Sequence, residues 1–194
     1  MKIHVLDAKN HLLGRMASIC AKKILQGDKI IIIRSELTSI TGKLGRNVNK
    51  YKSIFKKKTN TNPRRGPFHF KSPSKILYQT IKRMIPHKTM RGSKALKNLK
   101  IFEGLPRIFS KIKKEKFFEA FRYKVIKNYR KTVNLGKVCE VLGWKNRKFI
   151  EQKSDQLAAL GKVVLKKKKE IKKFRINNLL KFDKNNPIPK IFLK

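Results

Sequence analysis

The stretch that decides the fold is IHVLDAKNHLLGRMASICAKKILQGDKIIII, residues 3–33. Residues 3–6 are short and alternate only weakly, and they are a candidate first strand. The apolar residues from 13 to 25 recur at helical spacing. Gly27 stands where glycine favours a helix end, and the isoleucines at 30–33 predict a strand buried on both faces. Strand, helix and buried strand within this length predict a βαβ unit, and hence a parallel sheet with a right-handed crossover.

Further elements extend this unit along the chain. Ser72 and Pro73 are a favourable N-cap and first helical residue. The helix that they begin carries an apolar stripe and is ended by Pro86; the stripe comprises Leu77, Ile81, Met84 and Ile85. The other elements predicted up to residue 102 are a strand at 37–41, helices at 43–55 and 93–99, a loop at 56–71 and a strand at 100–102.

The C-terminal part has a different character. A short helical pattern begins at Leu135 and closes at Gly143, and a long, lysine-rich helix is predicted over residues 146–173. Asn185 to Pro189 has the composition of an extended tail. We therefore expect a core domain over residues 1–145 and a basic helical and extended tail over residues 146–194.

The charge of the chain points to a polyanionic partner. It has 52 Lys and Arg against 11 Asp and Glu, a formal net charge of +41, and 40% hydrophobic residues, which is enough for a core. Such self-repulsion destabilises a compact state unless an anion neutralises it, and nucleic acid presents phosphate along its whole length. No apolar run approaches the roughly 20 residues of a membrane span, and no signal peptide is visible.

The two cysteines indicate core positions in a reducing compartment. Cys20 and Cys139 both fall in helical apolar patterns, where free cysteine behaves as a small apolar residue. The Cys and His residues have no zinc-binding spacing. We therefore expect no metal and no disulfide framework.

The distribution of the cations favours RNA over a merely soluble surface. No Asp or Glu occurs between Glu36 and Glu103, whereas ordinary surfaces mix both signs. That stretch contains Lys43, Arg46, Lys50, Lys52, Lys56, Lys57, Lys58, Arg64, Arg65, Lys71, Arg83, Lys88 and Arg91.

Two basic turns within this stretch suit RNA recognition. The loop from Asn60 to Phe70 combines arginines that grip phosphate, amides that bond sugars and bases, and rings that stack on bases. Phe68 and Phe70 stack on bases in one interpretation and pack beneath the loop in the other, and we expect at least one of them to pack. Residues 86–92 form the second turn, between two helices, and direct Lys88 and Arg91 toward phosphate.

Enzymatic functions find little support. Residues 11–15 lack the glycines of a dinucleotide-binding loop, and no Walker lysine motif follows the first strand. The acids are scattered rather than clustered as a metal-dependent nuclease requires, and no Cys–His or Ser–His pairing is evident. We expect no catalysis, no cofactor and no small-molecule substrate.

Several motifs in order resemble the universal large-subunit ribosomal protein family L-thirteen, in its eukaryotic and archaeal form. They are Asp7-Ala8-Lys9, Leu12-Leu13-Gly14-Arg15-Met16-Ala17-Ser18, Thr41-Gly42, Arg46-Asn47, Lys50-Tyr51, Asn60-Thr61-Asn62-Pro63, Arg65-Gly66-Pro67, His69-Phe70, Pro73-Ser74-Lys75-Ile76, Met84-Ile85-Pro86-His87-Lys88-Thr89, Arg91-Gly92, Ala95-Leu96, Leu99-Lys100, Phe102-Glu103-Gly104-Leu105-Pro106, Leu135-Gly136-Lys137 and Gly143-Trp144-Lys145. The likeness covers residues 3–150 and is looser in the tail.

The resemblance implies a three-layer α/β/α fold with a central parallel sheet, plus a basic helical C-terminal extension. It also implies a structural constituent of the large ribosomal subunit that binds large-subunit ribosomal RNA beside neighbouring ribosomal proteins. The expected location is the cytoplasmic ribosome, with nucleolar assembly in a eukaryote. From charge and resemblance together, the residues expected to bind RNA are Lys9, Arg15, Lys43, Arg46, Lys50, Lys52, Lys56, Lys57, Lys58, Asn60, Asn62, Arg64, Arg65, His69, Lys71, His87, Lys88 and Arg91.

Two other functions fit parts of the sequence. A non-ribosomal RNA-binding regulator of translation fits the same charges, and it would exist as a stable pool outside the ribosome. A nucleotide-using enzyme fits only the α/β pattern, and fold order alone does not imply function.

Overall fold

A computed structural model gives the fold of residues 2–127 and 129–185. The chain forms two compact units, the first ending at Glu151 and the second beginning at Gln152. The strands and helices are β1 (Ile3–Asp7), α1 (Leu13–Leu25), β2 (Lys29–Ile33), β3 (Ser39–Thr41), α2 (Leu44–Lys56), α3 (Pro73–Arg83), α4 (Met90–Leu96), β4 (Leu99–Ile101), α5 (Arg122–Val125), β5 (Thr132–Asn134), α6 (Leu135–Val141) and α7 (Arg147–Asn185).

The central sheet is parallel, as the βαβ pattern predicts. Its strand order is β1-β2-β4, and Ile31 of β2 lies opposite Val5 of β1 and Lys100 of β4. Three of the four isoleucines of β2 are buried and Ile31 is half-buried. The prediction of an α/β fold with helices flanking a central parallel sheet, extended by a C-terminal helix, is confirmed.

The main core joins this sheet to α1, α3 and α4. α1 buries Met16, Cys20 and Ile24 on the face that its apolar spacing predicts, and α3 contributes Leu77 and Ile81. Burial raises the pKa of the Cys20 and Cys139 thiols to about 12. Both cysteines are therefore protonated core residues, as their sequence pattern predicts.

The strand predicted at residues 37–41 is wrong in extent and lies outside the central sheet. It forms only over Ser39–Thr41 and pairs antiparallel with β5, with Ile40 opposite Val133. The chain leaves the central sheet at Arg34, whose φ of 55° is left-handed, and residues 35–37 then form a 3₁₀ turn. The partner strand lies far along the chain, so the sequence around residues 37–41 does not indicate which sheet this strand joins.

Other boundaries also differ from the sequence prediction, and the helix predicted to reach residue 99 ends at Leu96. α4 begins at Met90 rather than at residue 93, because the Thr89 hydroxyl accepts a hydrogen bond from the Gly92 amide at 3.2 Å and caps the helix. β4 ends at Ile101, one residue before the predicted end. Met84 is 43% exposed and does not belong to the buried stripe of α3.

Polar groups fix the chain where β1 and β2 end. The Arg34 Nε donates to Asp7 Oδ1 at 2.9 Å, and a second guanidinium nitrogen contacts the other carboxylate oxygen. His11 is fully buried; its Nδ1 donates to the Lys9 carbonyl and its Nε2 accepts from the Phe117 amide, both at 3.0 Å. Burial lowers the pKa of His11, so the ring is neutral and ties residue 117 to the sheet.

The segment after residue 134 completes the first unit. Leu135, Cys139 and Trp144 form a buried cluster with Ile76 of α3, and Gly143 has a left-handed φ of 97° where α6 ends.

α7 continues beyond the predicted residue 173 to Asn185. The predicted extended tail from 186 onward lies outside the described residues. Of the helices described, none combines the length and apolarity needed to cross a bilayer.

Candidate nucleic-acid interface

The carboxylates of the first unit are largely engaged within the protein. Glu36 is buried and accepts from the Gly104 amide at 2.9 Å, and burial raises its pKa. Other pairs are Asp7 with Arg34, Asp28 with the Lys2 amide, Glu103 with the Ser74 hydroxyl, Glu115 with His4 and Glu140 with Arg147. The surface therefore retains a large excess of positive charge, which attracts polyanions.

Six cations line a cleft of about 880 Å³. We call it the basic cleft. Its cations are Arg15 of α1, Lys43 and Arg46 at the start of α2, and Lys127, Arg130 and Lys131 before β5. None of the described residues that line it is acidic.

The small β3–β5 sheet builds the basic cleft. Its pairing brings the residues before β5 against the turn before α2, where the Gly42 amide donates to the Lys131 carbonyl at 2.8 Å. The buried Asn47 amide donates to the Thr41 carbonyl at 3.1 Å and to the Lys43 carbonyl at 3.2 Å. Backbone bonds thus hold the two basic segments side by side, and the Asn47 side chain fixes the turn before α2.

Two helix N-termini open at the basic cleft. Leu12 and Lys43 immediately precede α1 and α2, and both line it. Neither helix has a side-chain cap or an acidic residue in its first turn, so the first amides of each helix have no intrahelical acceptor. Unpaired amides and the positive end of the helix dipole both favour a bound phosphate.

A second group of predicted residues lines a smaller groove of about 450 Å³ beside α6. Its four lysines surround Phe55, Val141 and Leu142; they are Lys52, Lys56, Lys58 and Lys71. Lysine stems cover apolar surface while their ammonium groups remain in water. The groove therefore offers positive charge over an apolar floor.

The loop predicted at residues 56–71 begins after α2 and is folded rather than extended. The His69 Nε2 donates to the Lys57 carbonyl at 2.8 Å, and its ring lies 5.8 Å from that of Phe55. Phe70 is half-buried with the Lys75 ammonium 4.7 Å from its ring, whereas Phe68 is 75% exposed. Phe70 is thus partly covered by the protein but belongs to none of the described core clusters, and Phe68 is not covered.

The other predicted residues lie apart from these two sites. Lys9, Lys57, Asn60, Asn62, Arg64, Arg65, Lys88 and Arg91 are exposed, His87 is half-buried, and Lys50 and His69 border a separate pocket beside α2. The turn that carries Lys88 and Arg91 is tight, because a Cβ at Gly92 would overlap the Pro86 carbonyl. RNA contacts by all eighteen residues remain predictions.

Sequence reasoning missed half of the basic cleft. Lys127, Arg130 and Lys131 were not among the predicted residues, although the stretch from 120 to 139 contains no Asp or Glu. A basic segment without acidic residues is the same signal that identified residues 37–102. What the sequence does not carry is the β3–β5 pairing that brings the two stretches together.

Comparison with known proteins identifies the family of this chain. The family model for Ribosomal protein L13 matches residues 1–107. The chain is 38% identical over 187 residues to the large ribosomal subunit protein uL13 of Caenorhabditis elegans, covering 96% of this chain and 90% of that protein. It is 40% identical over 167 residues to uL13 of Tetrahymena thermophila, covering 86% and 84%. The chain belongs to the ribosomal protein L13 family.

Proposed function

We propose that this chain is a structural constituent of the large ribosomal subunit that binds and stabilises ribosomal RNA, and so supports subunit assembly and translation. Its relatives are named as large ribosomal subunit proteins, and members of this family are structural components rather than enzymes. The same relationship supports a location on the ribosome. The cytoplasmic ribosome, with nucleolar assembly if the organism is eukaryotic, is the more specific form of the proposal.

The observation that carries the proposal is the basic cleft. Six cations and two uncapped helix N-termini converge on one concave surface, and its described lining contains no carboxylate. Contacts of this kind bind backbone phosphates, which fix the register of a nucleic acid without reading its sequence. A rigid α/β core that holds an RNA strand in this way acts as a structural clamp.

The exposed apolar and basic side chains of α7 suit binding to additional partners. We propose that these partners are ribosomal RNA and neighbouring large-subunit proteins. Within the second unit, Val163, Leu165 and Phe174 are among the apolar side chains that are more than half exposed, and Lys166 to Lys169 add charge. A highly charged helix without packing partners is only marginally stable in water. Docking on RNA or on another protein would stabilise it.

Sucrose-gradient fractionation of a cell lysate, with a high-salt wash of a parallel sample, tests the proposal. We expect the chain to co-sediment with large subunits and with full ribosomes, and to remain there through the wash, because many phosphate contacts and buried protein surfaces hold it. A chain that stays near the top of the gradient, or that the wash removes, would instead fit a non-ribosomal RNA-binding regulator.

A further inference from the structure

A pocket of about 490 Å³ lies beside the basic cleft and is not used by the phosphate contacts described above. It is bounded by the start of α1, by β3, by one face of α2, by the loop at residues 67–70 and by α3. We call it the aromatic pocket. Leu12 and Thr41 line both this pocket and the basic cleft, so a strand bound in the cleft passes close to the pocket.

The lining of the aromatic pocket suits a flat, aromatic, partly polar group. Tyr51, Phe55, Phe68 and His69 supply rings, and the Gln79 amide is a further polar group in the lining. Aromatic rings stack on unpaired bases, and an amide can bond their edges. The exposed Phe68 would be covered by such a ligand, which removes apolar surface from water.

Charge at the pocket selects a nucleotide over an apolar protein side chain. Lys50 and Arg83 both line it, and no acidic residue is present among its described lining residues. A base that enters the pocket carries a backbone phosphate on each side. Two cations beside an aromatic pocket complement such a unit, whereas an apolar side chain would leave them unpaired.

Gly14 is a position from which the lining of the aromatic pocket can be altered. It is the second residue of α1, and a Cβ built there meets nothing within 4 Å. A Cβ at this position is therefore accommodated without a clash within the protein. Gly14 lines the aromatic pocket.

We propose that the aromatic pocket receives one unstacked RNA base, with its flanking phosphates at Lys50 and Arg83. This inference rests on the proposed function, since it requires RNA on this surface. It adds a base-binding site to the phosphate contacts proposed for the basic cleft. Such a site would fix one nucleotide of the strand and so set its position along the cleft.

The full-length chain can be tested with two short ribose-phosphate strands of equal length. One carries a single adenine at its centre, and the other carries no base. Their backbone charges are equal, so the comparison isolates the base. We expect the strand with adenine to bind about tenfold more tightly, in keeping with stacking of one base on aromatic side chains, and both strands to bind with strong salt dependence.

Gly14→Leu places a bulky side chain at the wall of the pocket, and Gly45→Leu is its matched control. Gly45 is likewise the second residue of its helix with open space around it, but it does not line the pocket. We expect Gly14→Leu to abolish the preference for adenine, and Gly45→Leu to keep it, with similar melting temperatures for both variants.

The outcomes separate this inference from the proposed function. Equal binding of the two strands by the wild-type chain, or a preference for adenine that survives Gly14→Leu, would overturn the base pocket while leaving backbone binding intact. Equal binding would instead fit a pocket filled by a side chain of a neighbouring protein. Failure of both strands to bind would count against RNA binding itself, and the base pocket would fall with it.

Discussion

Replacing Arg34 with alanine is expected to lower the free energy of unfolding by about 3 kcal/mol, because it leaves a buried carboxylate without its partner. The Asp7 side chain is 6% exposed, and Arg34 contacts both of its oxygens. Arg34 also stands where the chain leaves β2 for the β3 segment. Its loss would therefore weaken the junction that orients the basic cleft.

Urea unfolding of the two proteins measures this effect. Arg107→Ala is the matched control, since Arg107 is exposed and makes no ion pair among the described residues. Its removal should change the free energy by no more than about 0.5 kcal/mol. Loss of one positive charge from a chain of net charge +41 relieves repulsion in both variants. A drop for Arg34→Ala no larger than that of the control would contradict the account of this ion pair.

Neutralising the basic cleft is expected to cause the largest loss of RNA affinity. The variant replaces its six cations with glutamine, at Arg15, Lys43, Arg46, Lys127, Arg130 and Lys131. Each phosphate contact contributes about 0.7 to 0.9 to the salt slope, so we expect the slope to flatten by about 4 to 5. Affinity at low salt should then fall by roughly a thousandfold.

Binding of a large-subunit ribosomal RNA fragment, measured over a salt series, tests this expectation. The control variant removes the same number of charges from exposed positions outside the basic cleft, at Lys22, Lys29, Lys94, Lys97, Lys100 and Arg107. Both variants have equal net charge. Equal losses of affinity would show that total charge, rather than the arrangement in the cleft, determines binding.

Local sequence patterns predicted the helices and strands that are determined by their own residues. The spacing of apolar residues from Leu13 to Leu25 gives α1 with both ends correct, and the isoleucine run gives β2. Ser72 caps α3 through a hydrogen bond from the Lys75 amide, as its place before Pro73 predicts. In each case the residues that fix the element lie within it or next to it.

Local sequence patterns do not predict which distant segments pair with each other. β3 is short and becomes a strand only by pairing with β5, and neither segment has enough alternation to reveal the other. The basic cleft depends on that pairing, so only its half near α1 and α2 was predicted. The aromatic pocket was missed for a similar reason, since it forms where α2, α3 and a loop meet.

The most direct test of the central claim is the chemical reactivity of Lys43, Lys127 and Lys131, which line the basic cleft. An amine-acylating reagent is applied to intact large subunits and to the same protein after its RNA is removed. The account predicts that these three lysines are protected in the intact subunit and react once the RNA is gone, because phosphates cover them. Equal reactivity in both samples would contradict RNA binding in the cleft.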